Sequence, residues 1–112
     1  NAAAGDLQFR NCVIAGCTTP LLASASFDIQ AWYDPPGYGN SILTNSSDIM
    51  SGYPLNLVSP NFIPQTGSPL LSGADFTSSN LQSLQTVNYK GAFGTTDWTQ
   101  GWCNFDPQNT AY

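Results

Sequence analysis

Histidine and glutamate are absent from the 112 residues, lysine and arginine occur once each as Lys90 and Arg10, and methionine occurs once. Each shortage excludes something. Without imidazole, neither a Ser-His-Asp nor a Cys-His nucleophile can be assembled, and zinc sites built on histidine are ruled out. With two cations and a net charge of −5, no basic patch exists for nucleic acid phosphates or anionic membranes. No apolar run approaches the roughly 20 residues that span a bilayer, so membrane insertion is not expected. Scarce Glu, Lys and Arg also remove the usual helix formers and argue against a helical bundle.

What fills the chain is Ser, Thr, Asn, Gly and Pro among apolar residues, a composition of turns and short strands. The expected fold is therefore all-β in one domain, 1–112, the size of a small single core. The acidic residues are all aspartate: Asp6, Asp28, Asp34, Asp48, Asp75, Asp97 and Asp106. A carboxylate pair would be the minimum for glycoside hydrolysis, but Asp34 and Asp106 each precede proline and read as turn caps. No Asp-x-Asp-x-Asp calcium loop is present. The expectation is a protein that is not an enzyme, with no metal and no cofactor.

Three cysteines, Cys12, Cys17 and Cys103, make an odd count. One disulfide with a spare thiol is expected: Cys12 with Cys17 across a turn, or either with Cys103, which restricts the unfolded chain by about 4 to 5 kcal/mol in the entropy model. Three buried free thiols are the alternative. The low charge and the single glycosylation sequon at Asn45 (Asn45-Ser46-Ser47) point to an extracellular or cell-surface location. A first residue Asn1 in place of Met suggests removal of a leader or cleavage from a precursor.

Along the chain, residues 1–6 read as a flexible lead-in. Residues 7–15 read as the first strand, with Leu7, Phe9, Asn11, Val13 and Ala15 alternating with Gln8, Arg10, Cys12 and Ile14. Phe27, Ile29 and Ala31 repeat at strand spacing before the Pro/Gly turn at 34–40. Brief strands are expected at Ile42-Leu43, Ile49-Met50 and 55–58. Residues 77–84 read as one helical turn or a loop, and 84–89 as a last strand. Residues 89–112 carry an aromatic cap with Trp98 and Trp102, read chiefly as packing against the core.

Pro60-Asn61-Phe62, Gly67-Ser68-Pro69-Leu70-Leu71-Ser72-Gly73-Ala74, Tyr89-Lys90-Gly91-Ala92-Phe93 and Asp97-Trp98-Thr99-Gln100-Gly101-Trp102 together resemble the carboxy-terminal end of secreted parallel β-helix proteins of Bacteroidota, over residues 55–112. The resemblance implies a short irregular β-solenoid whose last coils this block closes; a small β-sandwich is the other architecture considered. At about 20 to 25 residues per coil there is room for two or three coils. So short a solenoid leaves strand edges open to another chain.

Two functions compete. The first is a self-assembling structural protein that forms a fibre or filament by strand addition and end-to-end packing, with Leu7, Phe9, Val13 and Ile14 at the interface. The second is a carbohydrate-binding or adhesive module in which Trp32, Tyr33 and Tyr38, on the Pro/Gly loop, face surface glycans. Lys90 reads as a side chain covering an aromatic face, with a Lys-Asn crosslink as the alternative.

Overall fold

The computed structural model describes residues 1–50, 52 and 56–111. It is mostly non-helical, with a small two-stranded parallel sheet and no helical bundle. Strand β1 (Val13–Ala15) pairs with β2 (Ser41–Leu43) in the register Val13↔Ser41, Ile14↔Ile42, Ala15↔Leu43. Parallel strands need a crossover of a dozen or more residues; here it carries a short helix, α1 (Ile29–Tyr33). Three single 3-10 turns, Ser46–Asp48, Pro69–Leu71 and Ser79–Leu81, complete the regular structure. Two three-residue strands support the expected all-β class only weakly, and they do not by themselves show a solenoid of stacked coils or a sandwich among the described residues.

The first strand is shorter than its alternation predicts because Asn11 sits at φ 53°, in the left-handed region that asparagine tolerates better than most residues. That residue ends the extended run, and its N–H turns to the Tyr38 carbonyl at 2.8 Å. The strand expected through Phe27, Ile29 and Ala31 is a helix instead. Asp28 caps it, Oδ1 accepting the Ala31 N–H at 3.0 Å, and the local cap outweighs a period-two pattern only three residues deep. Asp34 then precedes Pro35, which disfavours further helix.

Farther on, Ile49-Met50 yields an isolated antiparallel bridge between Met50 and Pro64. Residues 84–89 form no strand; single bonds from Ala74 N–H to the Asn88 carbonyl (3.1 Å) and from Lys90 N–H to the Leu70 carbonyl (2.7 Å) lay this run beside 70–74. The helical turn expected within 77–84 is present as Ser79–Leu81. The brief strand expected from Leu55 begins outside the described residues, and 56–58 are irregular. Gly16 shows how closely the corners approach: at φ +69°, a Cβ there would lie 2.0 Å from Ser46 Oγ.

Burial is sparse. Tyr33, 2% exposed, and Pro64 are the only buried apolar side chains among the described residues. Accessible surface totals 8014 Å², where a folded monomer of 12.0 kDa exposes about 6,000 Å². The radius of gyration, 16.9 Å, likewise exceeds the roughly 13 Å of a compact domain of this length.

Candidate functional site

Three groupings of side chains stand out. The first is a polar node around Asn40. Its Oδ1 accepts the Cys12 N–H at 2.8 Å, and its Nδ2 donates to the carbonyls of Phe9 (2.8 Å) and Tyr33. One buried amide thus joins the approach to β1, the end of α1 and the start of β2. The Tyr33 hydroxyl shares its proton between the Cys12 and Ser41 carbonyls at 3.4 and 3.3 Å. Burial, with the nearby Cys12 and Asp34 adding to it, raises the Tyr33 phenol above its ordinary pKa of 10.0. Phe9 and Trp32 meet edge to face at 5.7 Å, and Phe27 leans on Trp32 at 5.9 Å.

This geometry disperses the aromatic platform expected from Trp32, Tyr33 and Tyr38. Tyr33 is core. Trp32 is half-buried, its indole N–H donating to the Leu7 carbonyl at 3.2 Å. Tyr38 lies under the Arg10 guanidinium, 4.1 Å from the ring centroid. Arginine therefore makes the cation–π contact foreseen for lysine, while Lys90 Nζ donates to the Gly39 carbonyl at 3.3 Å.

The second grouping is the outer edge of β1. Cys12 C=O and Gly16 N–H bond to β2, so the alternation of a parallel ladder turns the N–H and C=O of Val13 and Ala15 to the opposite side. No further strand pairs there among the described residues. Leu7 and Phe9 precede this edge, 49% and 45% exposed; Val13 and Ile14 are half-buried. Of the four expected interface residues, Val13 and Ile14 lie in β1, and Leu7 and Phe9 lie before it, beyond the left-handed Asn11.

The expected disulfide is not formed. Cys12, Cys17 and Cys103 are free thiols, with Cys12 Sγ turned to the Arg10 carbonyl at 3.4 Å and Cys17 Sγ to the Ala15 carbonyl at 3.8 Å. Each of these two sulfurs bonds locally, to the carbonyl two residues earlier in the chain. Asn45 is exposed, immediately before the Ser46–Asp48 turn, and its side chain makes no capping bond. Among the described residues no three His, Cys or Asp side chains gather where a metal could be held, and no helix is long and apolar enough to cross a membrane.

The third grouping was not foreseen in this form. Phe62, Phe93, Trp98 and Trp102 stack in a column with centroid spacings of 5.0, 5.1 and 5.8 Å, and Phe105 tilts against Phe62 at 5.6 Å. The tryptophans cap it on the outside: Trp98 is 50% and Trp102 68% exposed. The four-residue spacing of Trp98 and Trp102 was the only sequence signal, since Phe62 joins them from 31 or more positions away. No family model matches the chain, and the comparisons with curated proteins and with solved structures found no match.

Proposed function

We propose that this chain is a non-catalytic, extracellular structural protein whose β-rich stack is completed by another copy of itself, added along the outer edge of β1 and building a filament or surface layer. The observation that carries this reading is the unfinished packing: 8014 Å² of accessible surface against about 6,000 Å² for a self-sufficient monomer. The unpaired edge of β1 supplies main-chain donors and acceptors, and exposed Leu7 and Phe9 supply apolar area, the two components of strand addition. Sparse charge keeps repulsion between stacked copies low.

The architecture within this proposal is the end of a parallel solenoid, as the resemblance of residues 55–112 implies. Its support is the parallel pairing of β1 and β2, in which Cys12 meets Asn40 across 28 residues, a length within the range of solenoid repeats. The carbohydrate module built on Trp32, Tyr33 and Tyr38 draws less support, because the Tyr33 ring is buried.

The test is sedimentation velocity over a concentration series, with negative-stain microscopy of the same samples. The wild-type chain is expected to associate as concentration rises. Val13→Pro removes an outward N–H without touching the β1–β2 ladder, and Val13→Lys places a charge on the edge; both are expected to shift the protein toward monomer while the circular dichroism stays unchanged. A wild-type chain that stays monomeric throughout, or association undiminished in both variants, overturns the proposal.

A further inference from the structure

We infer that the outer end of the aromatic column is a binding site for an uncharged pyranose sugar, with Trp102 as its platform. Beside the column opens a hollow of about 670 Å³ lined by Trp102, Asp97, Gln100, Asn104, Asp106 and Thr110. Its volume falls within the range of small-ligand sites. The proposal uses residues other than those of the β1 edge and does not depend on self-assembly.

The Trp102 ring is fixed in place. One face stacks on Trp98, and its Nε1–H donates to the Trp98 carbonyl at 2.6 Å. Trp98 is held in the same way, its Nε1–H on the Ala92 carbonyl at 3.0 Å. Both indole donors are thus spent on the backbone, and what Trp102 offers outward is an apolar π face carrying no polar group. A large exposed apolar ring locked against motion loses little conformational entropy on binding. The negative face of an aromatic ring attracts polarised hydrogens, and the C–H face of a pyranose presents a flat set of them.

The rim selects a hydroxyl-rich ligand over an apolar one. Thr99, 6% exposed, donates both its N–H and its hydroxyl to Asp97 Oδ1, which orients the carboxylate, and Oδ2 accepts from none of the described residues. Asn104 Oδ1 accepts the Asp106 N–H at 2.9 Å, which holds its Nδ2 available as a donor, while the Thr110 hydroxyl, 3.3 Å from that oxygen, gives its proton to the Asp106 carbonyl at 2.7 Å. The Gln100 side chain, exposed in the same wall, has no bond among the described residues and offers one donor group and one acceptor. A carboxylate and two amides around an aromatic floor match the alternating donors and acceptors of sugar hydroxyls. Asp106 accepts twice from Asn109 Nδ2 (2.8 and 3.0 Å) and adds a second negative charge. The two cationic side chains of the chain are engaged elsewhere, at Tyr38 and Gly39, so an anionic sugar meets uncompensated repulsion.

The experiment titrates the full chain with cellohexaose, xylohexaose and laminarihexaose, and with oligogalacturonate as the anionic counterpart, by isothermal calorimetry and tryptophan fluorescence. At least one neutral oligosaccharide is expected to bind and oligogalacturonate to bind at least tenfold more weakly. Trp102→Ala is expected to lower the affinity at least tenfold, Trp102→Phe to restore most of it, and Trp32→Ala to leave it unchanged. The inference is overturned if no neutral oligosaccharide binds, if oligogalacturonate binds equally well, or if affinity follows Trp32 and not Trp102.

Discussion

The two aromatic groupings use the same kinds of side chain and reach opposite outcomes. Beside the buried Tyr33 lies Phe9, with Trp32 on Phe9 and Phe27 on Trp32, and the carbonyls near the phenol are bonded by Asn40 and by the phenol itself. In the column, rings from Phe62 to Trp102 stack in file and end in solvent. The difference lies in the backbone. Near Tyr33, three chain segments converge and their polar groups must be satisfied internally, which needs an amide at their meeting point. The column is fed by tight turns whose polar groups bond locally, as Thr99 does to Asp97, so nothing forces its outer rings inside.

The sharpest way to break this contrast is Asn40→Ala, which strands the Cys12 N–H and the Phe9 and Tyr33 carbonyls together. A loss of about 3 kcal/mol in urea unfolding is expected. Destabilisation below about 1 kcal/mol would mean that the node is dispensable and the two groupings are alike.

Within the column, position should decide the outcome. Phe93, stacked on both sides and half-buried, is expected to cost about 1 to 2 kcal/mol as Phe93→Ala, a fraction of the loss at a fully buried ring. Trp102→Ala, at the exposed end, should cost less than about 0.5 kcal/mol in the same urea assay. Equal losses would show that the column is an ordinary core.

The smallest effect is on pH. Because the folded chain holds the Tyr33 phenol above its ordinary 10.0, the stabilisation is fully present below pH 10 and is lost as pH rises through the folded value. Asp75 works in the other direction: the Thr77 N–H, and then its hydroxyl, bond the carboxylate and lower its pKa below 3.8, so its contribution is present above that value and is lost on further acidification. Urea midpoints measured across pH should fall at the alkaline end in the wild type and less in Tyr33→Phe.

Some of the local structure was legible, as strand at Val13–Ala15 and at Ile42-Leu43, whereas the extended runs expected at 7–11, 27–31 and 84–89 form no strand. The shortage of helix formers argued against a bundle, and the density of Gly, Pro, Asn and Asp marked the corners that cut every strand short. Val13 and Ile14 were read in a strand and lie in β1, whereas Leu7 and Phe9 fall before it, beyond the left-handed Asn11. The helix at Ile29–Tyr33 was not, because one Asp28 cap bond outweighed a three-residue alternation. The sugar platform expected at Trp32, Tyr33 and Tyr38 was dispersed by packing, and the more exposed rings proved to be Trp98 and Trp102.

Composition alone leaves these 112 residues without imidazole, with two cationic side chains and without a long apolar run, since residues that are missing cannot be supplied by folding. Proximity was decided only in three dimensions. Asn40 looks like one more turn residue until the segments around 9, 12 and 33 close on it, and Phe62 belongs to no aromatic column until the chain returns at 93. Hydrogen-bond satisfaction and ring stacking act across distances in sequence that no local pattern encodes, so which aromatic is core and which stands in solvent was settled by the tertiary structure.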